Sequence, residues 1–306
     1  MVSQAIAAKG NKRPFVLRKG ISYVADLVDG AAALAYGSPW STHHYVDNVG
    51  GSAGGDGLTP ATATNTIALG AAMLAAGDVL HVLGTATDYS ENVVITTDNV
   101  ILVGHRFGVE CGGWTPAAQD GTILTLSGAK GARVTGFLFR GNGTTGKCID
   151  ISEATYNDTD SIMIDNNVFK STVQDVGYHI FANGCPGYIK IYSNHFTWGV
   201  TAIGCTYAGT TSATGWEIID NYFADKLTAG IYMPLRRSLI KDNHFSDMTT
   251  CIDTVGYAAT NGDYNDVNGN YIFETATWTG VTQGQSNDSW QGNYHNFAVN
   301  TTIGGS

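Results

Sequence analysis

Eight times between residues 102 and 295 the chain repeats one six-residue phrase: an apolar residue, polar or small residues often ending in Asn, an outward residue, then an aromatic one. The copies are Leu102–Phe107, Val134–Phe139, Ile164–Phe169, Ile191–Phe196, Ile218–Phe223, Ile240–Phe245, Val267–Ile272 and Trp290–His295, spaced 22 to 32 residues apart. A second apolar position follows 9–13 residues after most copies, at Ile149, Ile180, Ile203, Ile231, Ile252 and Val281. One such unit is too small to bury its apolar side, whereas a stack of units makes a continuous core. The period therefore predicts an all-β, single-stranded parallel solenoid whose coils rise by about 4.8 Å, the spacing between paired strands.

Stacking turns sequence repeats into columns. Asn167, Asn194, Asn221, Asn243, Asn270 and Asn293 should lie one above another at a bend, each amide bonding the next. Phe107, Phe139, Phe169, Phe196, Phe223 and Phe245 should form an aromatic column inside. His195, Tyr222, His244, Tyr271 and Tyr294 have the opposite parity and form an outer stripe, read as a subunit interface or a glycan platform. Asp220 and Asp242 precede the Asn ladder and read as turn residues. Composition agrees with many short strands: 39 of 306 residues are Gly and only 14% are charged, while 43% are hydrophobic, which excludes a disordered chain. Thr66–Ala76 reads as a capping helix, with Thr66 at its start and Gly77 beyond its end.

Charge is distributed unevenly. The first 19 residues carry five basic residues and no acid, leaving 11 basic against 26 acidic residues, a balance of −15, in the rest. A basic arm on an acidic body is expected to dock on an acidic partner, and the body to repel nucleic acid and anionic membrane. The arm spans 1–43, the cap and first coil 44–98, and the repeated coils 99–306. The five cysteines contain no CxxC pair and read as free thiols, so neither a disulfide framework nor a metal site is expected, and no cofactor. Neither a signal peptide nor a membrane span is expected from the apolar stretches.

Tyr45–Ala63, Thr66-Ile67, Gly77-Asp78, Tyr89–Asn92 and the Asn-x-Phe coils resemble the N-terminal cap and coils of right-handed parallel β-helix proteins of the pectin-lyase-like superfamily. The resemblance runs from about residue 44 onward. It implies the right-handed fold, and a group that holds polysaccharide lyases, glycoside hydrolases, bacteriophage tailspikes and non-enzymatic virion proteins. The short length, the lack of a secretion signal and the end of the chain near its last coil favour a virion component assembled in the host cytoplasm. The expected function is a trimeric capsid decoration (cement) or short fibre protein. Its arm would bind a major capsid protein or another virion component through Lys9, Lys12, Arg13, Phe15, Arg18 and Lys19. The alternative is a receptor-binding tailspike or polysaccharide-degrading enzyme acting on host surface glycans. Its catalytic residues would be Asp225, Asp247 and Glu274, four residues past the Asn register on consecutive coils, beside Trp198. Acidic residues also occur at such corners for backbone reasons alone. His43-His44 and Arg236-Arg237 read as surface residues, with an acidic sugar or partner as the other reading of the arginine pair. Deleting residues 2–40 should leave a folded body that no longer binds particles; co-sedimentation with particles checks this, and undiminished binding would refute the arm's role.

Overall fold

The computed structural model describes residues 41–105, 112–152, 161–171, 176–184, 186–205, 213–254, 264–273, 281–282 and 288–295. The basic arm residues, Phe107, Cys111, Cys185 and Glu274 lie outside the described residues. The chain divides into two compact units, Met1–Thr42 and His43–Ser306, and the second is the one described below.

All strand pairs named here are parallel, and each strand pairs with its counterpart one coil earlier and one coil later. A ten-stranded sheet runs from His43–Val46 through Val79–Leu83, Ile101–His105, Arg133–Thr135, Met163–Asp165, Lys190–Tyr192, Glu217–Ile219, Leu239–Lys241 and Asp266–Asn268 to Ser289–Gln291. This is the first face of a parallel β-helix. A fifteen-stranded sheet supplies two more faces, because the strands His195–Cys205 and Tyr222–Tyr232 pass through both. Register shifts between Thr197 and Gly199 mark the bend between them. The predicted second apolar positions pair in one row on the third face: Ile149 with Ile180, then Ile203, Ile231, Ile252 and Val281.

Each corner between faces demands a left-handed residue. Before the second face these are Gly136, Asn166, Ser193, Asp220, Asp242, Gly269 and Gly292, all at φ between 52° and 79°. Gly, Asn, Asp and Ser suit this corner: glycine has no Cβ to clash, and short polar side chains bond the local backbone.

Beside this corner the Asn ladder forms as expected. Asn221 Oδ1 accepts from the backbone N–H and Nδ2 of Asn194, and Asn221 Nδ2 donates to Ile191 O, Ile219 O and Asn243 Oδ1. The same bonds link Asn167 to Asn194 and run on through Asn243 and Asn270 to Asn293. Phe139, Phe169, Phe196, Phe223 and Phe245 stack with centroids 4.7–5.1 Å apart and planes within 9°. Trp114 heads this column, pairing with Phe139.

The predicted capping helix over 66–76 does not form. Only Ile67–Ala71 is helical, and beyond it Met73 and Leu74 donate to carbonyls three residues back. Gly70 is poorly helical and sits where a Cβ would meet Val46 and Leu80 at 2.5 and 2.7 Å, so contact with the first strands outweighs helix extension. Thr66 does accept from Leu69 N, and the Glu91 carboxylate accepts from Ile67 and Ala68 N–H, anchoring this turn to the first coil.

Asn221→Ala strips partners from several fully buried groups and should cost about 3 kcal/mol. Urea unfolding is the check, and a loss below about 1 kcal/mol would mean that backbone pairing alone holds the corner.

Candidate functional site

Of the predicted carboxylate trio, Asp225 and Asp247 stand on consecutive coils at one corner, as the spacing predicts, while Glu274 lies outside the described residues. Asp225 and Asp247 are exposed and occupy the corner between the second and third faces, at φ 53° and 54°. Trp198 holds the same corner one coil earlier at φ 55°, and Lys226 Nζ lies 4.6 Å from its ring centroid. The left-handed backbone accounts for the aspartates, as it does for Asp220 and Asp242. Ser171, at the same position another coil earlier, is buried and donates to Gly141 O.

The outer stripe lies outside the core as parity requires, with Tyr222, Tyr271 and Tyr294 40–53% exposed. Its rings are used largely by one another. Tyr222 makes a T-shaped contact with the His195 ring at 4.9 Å and stacks on His244 at 4.5 Å, and His244 stacks in turn on Phe273 at 4.8 Å. A ring already stacked on a neighbour has one face fewer to offer a sugar.

His43 and His44 point to opposite sides of their strand. His44 is buried, its Nε2 3.3 Å from Asp78 Oδ2. His43 Nδ1 lies 2.8 Å from His81 Nε2, and His81 Nδ1 lies 2.8 Å from His105 Nε2. Burial, then the charges of His105 and His43, pushes the His81 pKa down to about 3. Burial also lowers His43 and His105, so the row is neutral near pH 7. Among the described residues no group of three or more His, Cys, Asp or Glu is arranged to hold a metal ion.

A different constellation stands at the corner that leads into the first face. Two residues before each strand, from Val79 to Asp266, the chain is left-handed: Gly77, Asn99, Gly131, Ser161, Tyr188, Gly215, Arg237 and Tyr264. The first four are the residue types such a corner favours. Tyr188, Arg237 and Tyr264 are not, and a bulky residue there costs about 1–2 kcal/mol. Tyr188 is 48% and Tyr264 61% exposed, and Arg237 is also exposed. Gly215 makes room for Tyr188, since a Cβ at 215 would stand 2.8 Å from its ring. With rungs about 4.8 Å apart, the two tyrosines are separated by roughly 14 Å along the axis, with Arg237 one rung short of Tyr264.

The adjoining outer face carries linked polar groups. The Tyr192 hydroxyl donates to Glu217 Oε2, and Lys190 Nζ lies 3.7 Å from Glu217 Oε1. Arg133 clamps Asp165 through Nε and Nη2 at 2.8 Å each, and Thr135 and Asn166 also donate to that carboxylate. Asp165, buried and saturated by these donors, is unsuited to attack or proton delivery, whereas Glu217 and Lys190 are more than a third exposed. Sequence reasoning missed the corner tyrosines, although each stands two residues before an apolar-centred strand, at Lys190 and Asp266. The open groove of about 310 Å³ between the short helix and Val93–Thr97 is lined by aliphatic and small polar residues without a titratable group.

No family model and no curated protein matches the chain. Among solved structures, the complex of XylC with xylose overlays with a TM-score of 0.49 at 9% identity, covering 81% of this chain and 68% of that one. The GH136 lacto-N-biosidase from Eubacterium ramulus overlays with a TM-score of 0.34, also at 9% identity, covering 83% and 67%. Identity this low transfers no substrate and no residue role.

Unfolded imidazoles protonate near pH 6.5, while folded His81 stays neutral down to about 3. The unfolded state therefore binds more protons across that window, and stability should fall as pH drops below 6.5. Urea titrations at pH 7 and 5 should show this fall, and His81→Leu should reduce it without abolishing it, because buried His179 is also pushed down to about 3; an unchanged slope in the variant would remove the row as a source.

Proposed function

We propose that this protein is a glycan-binding β-helix whose ligand lies along the corner formed by Tyr188, Gly215, Arg237 and Tyr264 and across the adjoining face at Lys190, Tyr192 and Glu217. The observation that carries the reading is the presence of two exposed tyrosines and an arginine where the backbone favours glycine. An unfavourable conformation kept for an exposed side chain points to a role for that side chain. Flat aromatic rings stack on the apolar faces of pyranoses, and planar polar groups bond their hydroxyls. A sugar unit in an extended chain is similar in length to one rung, so a polysaccharide parallel to the axis meets one corner residue per unit. Binding without cleavage is the version favoured here. The rungs on either side of Glu217 carry Lys190 and Leu239 at its position, so no second carboxylate pairs with it there, and Asp165 on the same face is fully committed to its donors.

Particle attachment is a second, compatible reading, and the five basic residues in the first 19 favour it. In that reading residues 1–43 anchor the chain to a virion, and the Tyr222–Tyr271–Tyr294 edge packs against other copies in a trimer. A solution mass of one chain at micromolar concentration would eliminate the trimer.

Affinity electrophoresis through gels containing neutral or acidic bacterial surface polysaccharides tests the main reading. At least one polysaccharide should retard the protein, and Tyr188→Gly with Tyr264→Gly should abolish the retardation. In urea, Tyr264→Gly should leave stability unchanged or raise it by up to about 1 kcal/mol, because glycine accepts the left-handed corner. No retardation in any gel would refute glycan binding, as would retardation that survives both changes.

A further inference from the structure

We infer that the corner selects a glycan carrying an isolated carboxylate, one acidic sugar among neutral neighbours, and rejects chains that are acidic at every residue; this rests on the glycan-binding reading above. The selectivity comes from how charge is laid out along the rungs. Arg237 stands exposed between Gly215 on the coil before and Tyr264 on the coil after, with Arg236 directly preceding it. Its guanidinium suits bidentate pairing with a carboxylate.

The other cations of this face are already engaged. Arg133 holds Asp165, Lys190 lies 3.7 Å from Glu217, and Lys241 lies 3.7 Å from Asp242. Acids occupy the rungs on both sides of Arg237: Glu217 on the coil before, and the exposed Asp266 on the coil after. Asp220 and Asp242 line the far edge of the same face, both exposed. A carboxylate one sugar away from the Arg237 position would face Asp266 on one side and be repelled, or on the other side Glu217, whose partner Lys190 is already engaged, and so meet no unpaired cation. Beyond contact range, residues 20–306 carry 11 basic against 26 acidic residues and repel polyanions as a whole. The positive slot is one rung deep, so it fits one charge.

Three probes separate the cases by calorimetry on the full chain: xylotetraose, xylotetraose bearing a single glucuronate, and tetragalacturonate. The singly charged probe should bind roughly tenfold or more tightly than the neutral one, as expected for a charge-assisted hydrogen bond. Tetragalacturonate should bind more weakly than the singly charged probe. Arg237→Gly, a change the left-handed corner accepts, should erase the preference, so that the singly charged probe binds no more tightly than the neutral one. Equal binding of the neutral and singly charged probes overturns the inference, as does tightest binding of tetragalacturonate or a preference that survives Arg237→Gly. Absence of binding to all three also overturns it, whereas retardation by a polysaccharide gel would then still stand for the broader reading.

Discussion

Parallel pairing between successive coils is the constraint on which the rest of this structure depends. It fixes each residue directly above its counterpart about 22–30 positions earlier, so a polar group that bonds its own coil must also bond the next. The Asn ladder is the consequence at one bend, where every amide both donates upward and accepts from below. The Phe column is the apolar equivalent, with planes held within 9° by the rung spacing.

The same pairing imposes a cost at the corners. At the corners flanking the ten-stranded sheet the chain turns through a left-handed residue, and most coils meet this with Gly, Asn, Asp or Ser. Asp225 and Asp247 fit that requirement, as Asp220 and Asp242 do. Tyr188, Arg237 and Tyr264 do not, nor do Trp198 and Lys226 at the corner between the second and third faces, but among the described residues only the corner before the ten-stranded sheet carries three such residues within four coils. A nearby set of side-chain bonds steadies it: Ser238 accepts from Trp216 N, Asn265 from Ser238 N, and Asp288 from Asn265 N.

The outer stripe shows how exposure and availability diverge. Tyr222 is 40% exposed, yet His244 stacks on one of its faces and His195 meets it in a T-shaped contact, so much of its ring is used within the stripe. Tyr188 and Tyr264 lie at the lip of a polar face and contact no partner ring among the described residues, which suits them better to a flat sugar.

The sequence by itself determined the coil period, the Asn and Phe columns, the second row of apolar positions and the outward parity of the His/Tyr stripe. Those properties follow from a repeat that is periodic in the chain, and periodicity survives folding unchanged. Tertiary structure alone decided the extent of the helix at Ile67–Ala71, because contact of Gly70 with Val46 and Leu80 outweighed the helical pattern. It also decided the candidate site. Tyr188 and Tyr264 are 76 positions apart and belong to no shared motif, and only coil stacking and the sign of φ at each corner bring them onto one edge with Arg237. Backbone conformation at a single corner residue is set by the bend between two faces, and no local run of side chains encodes it.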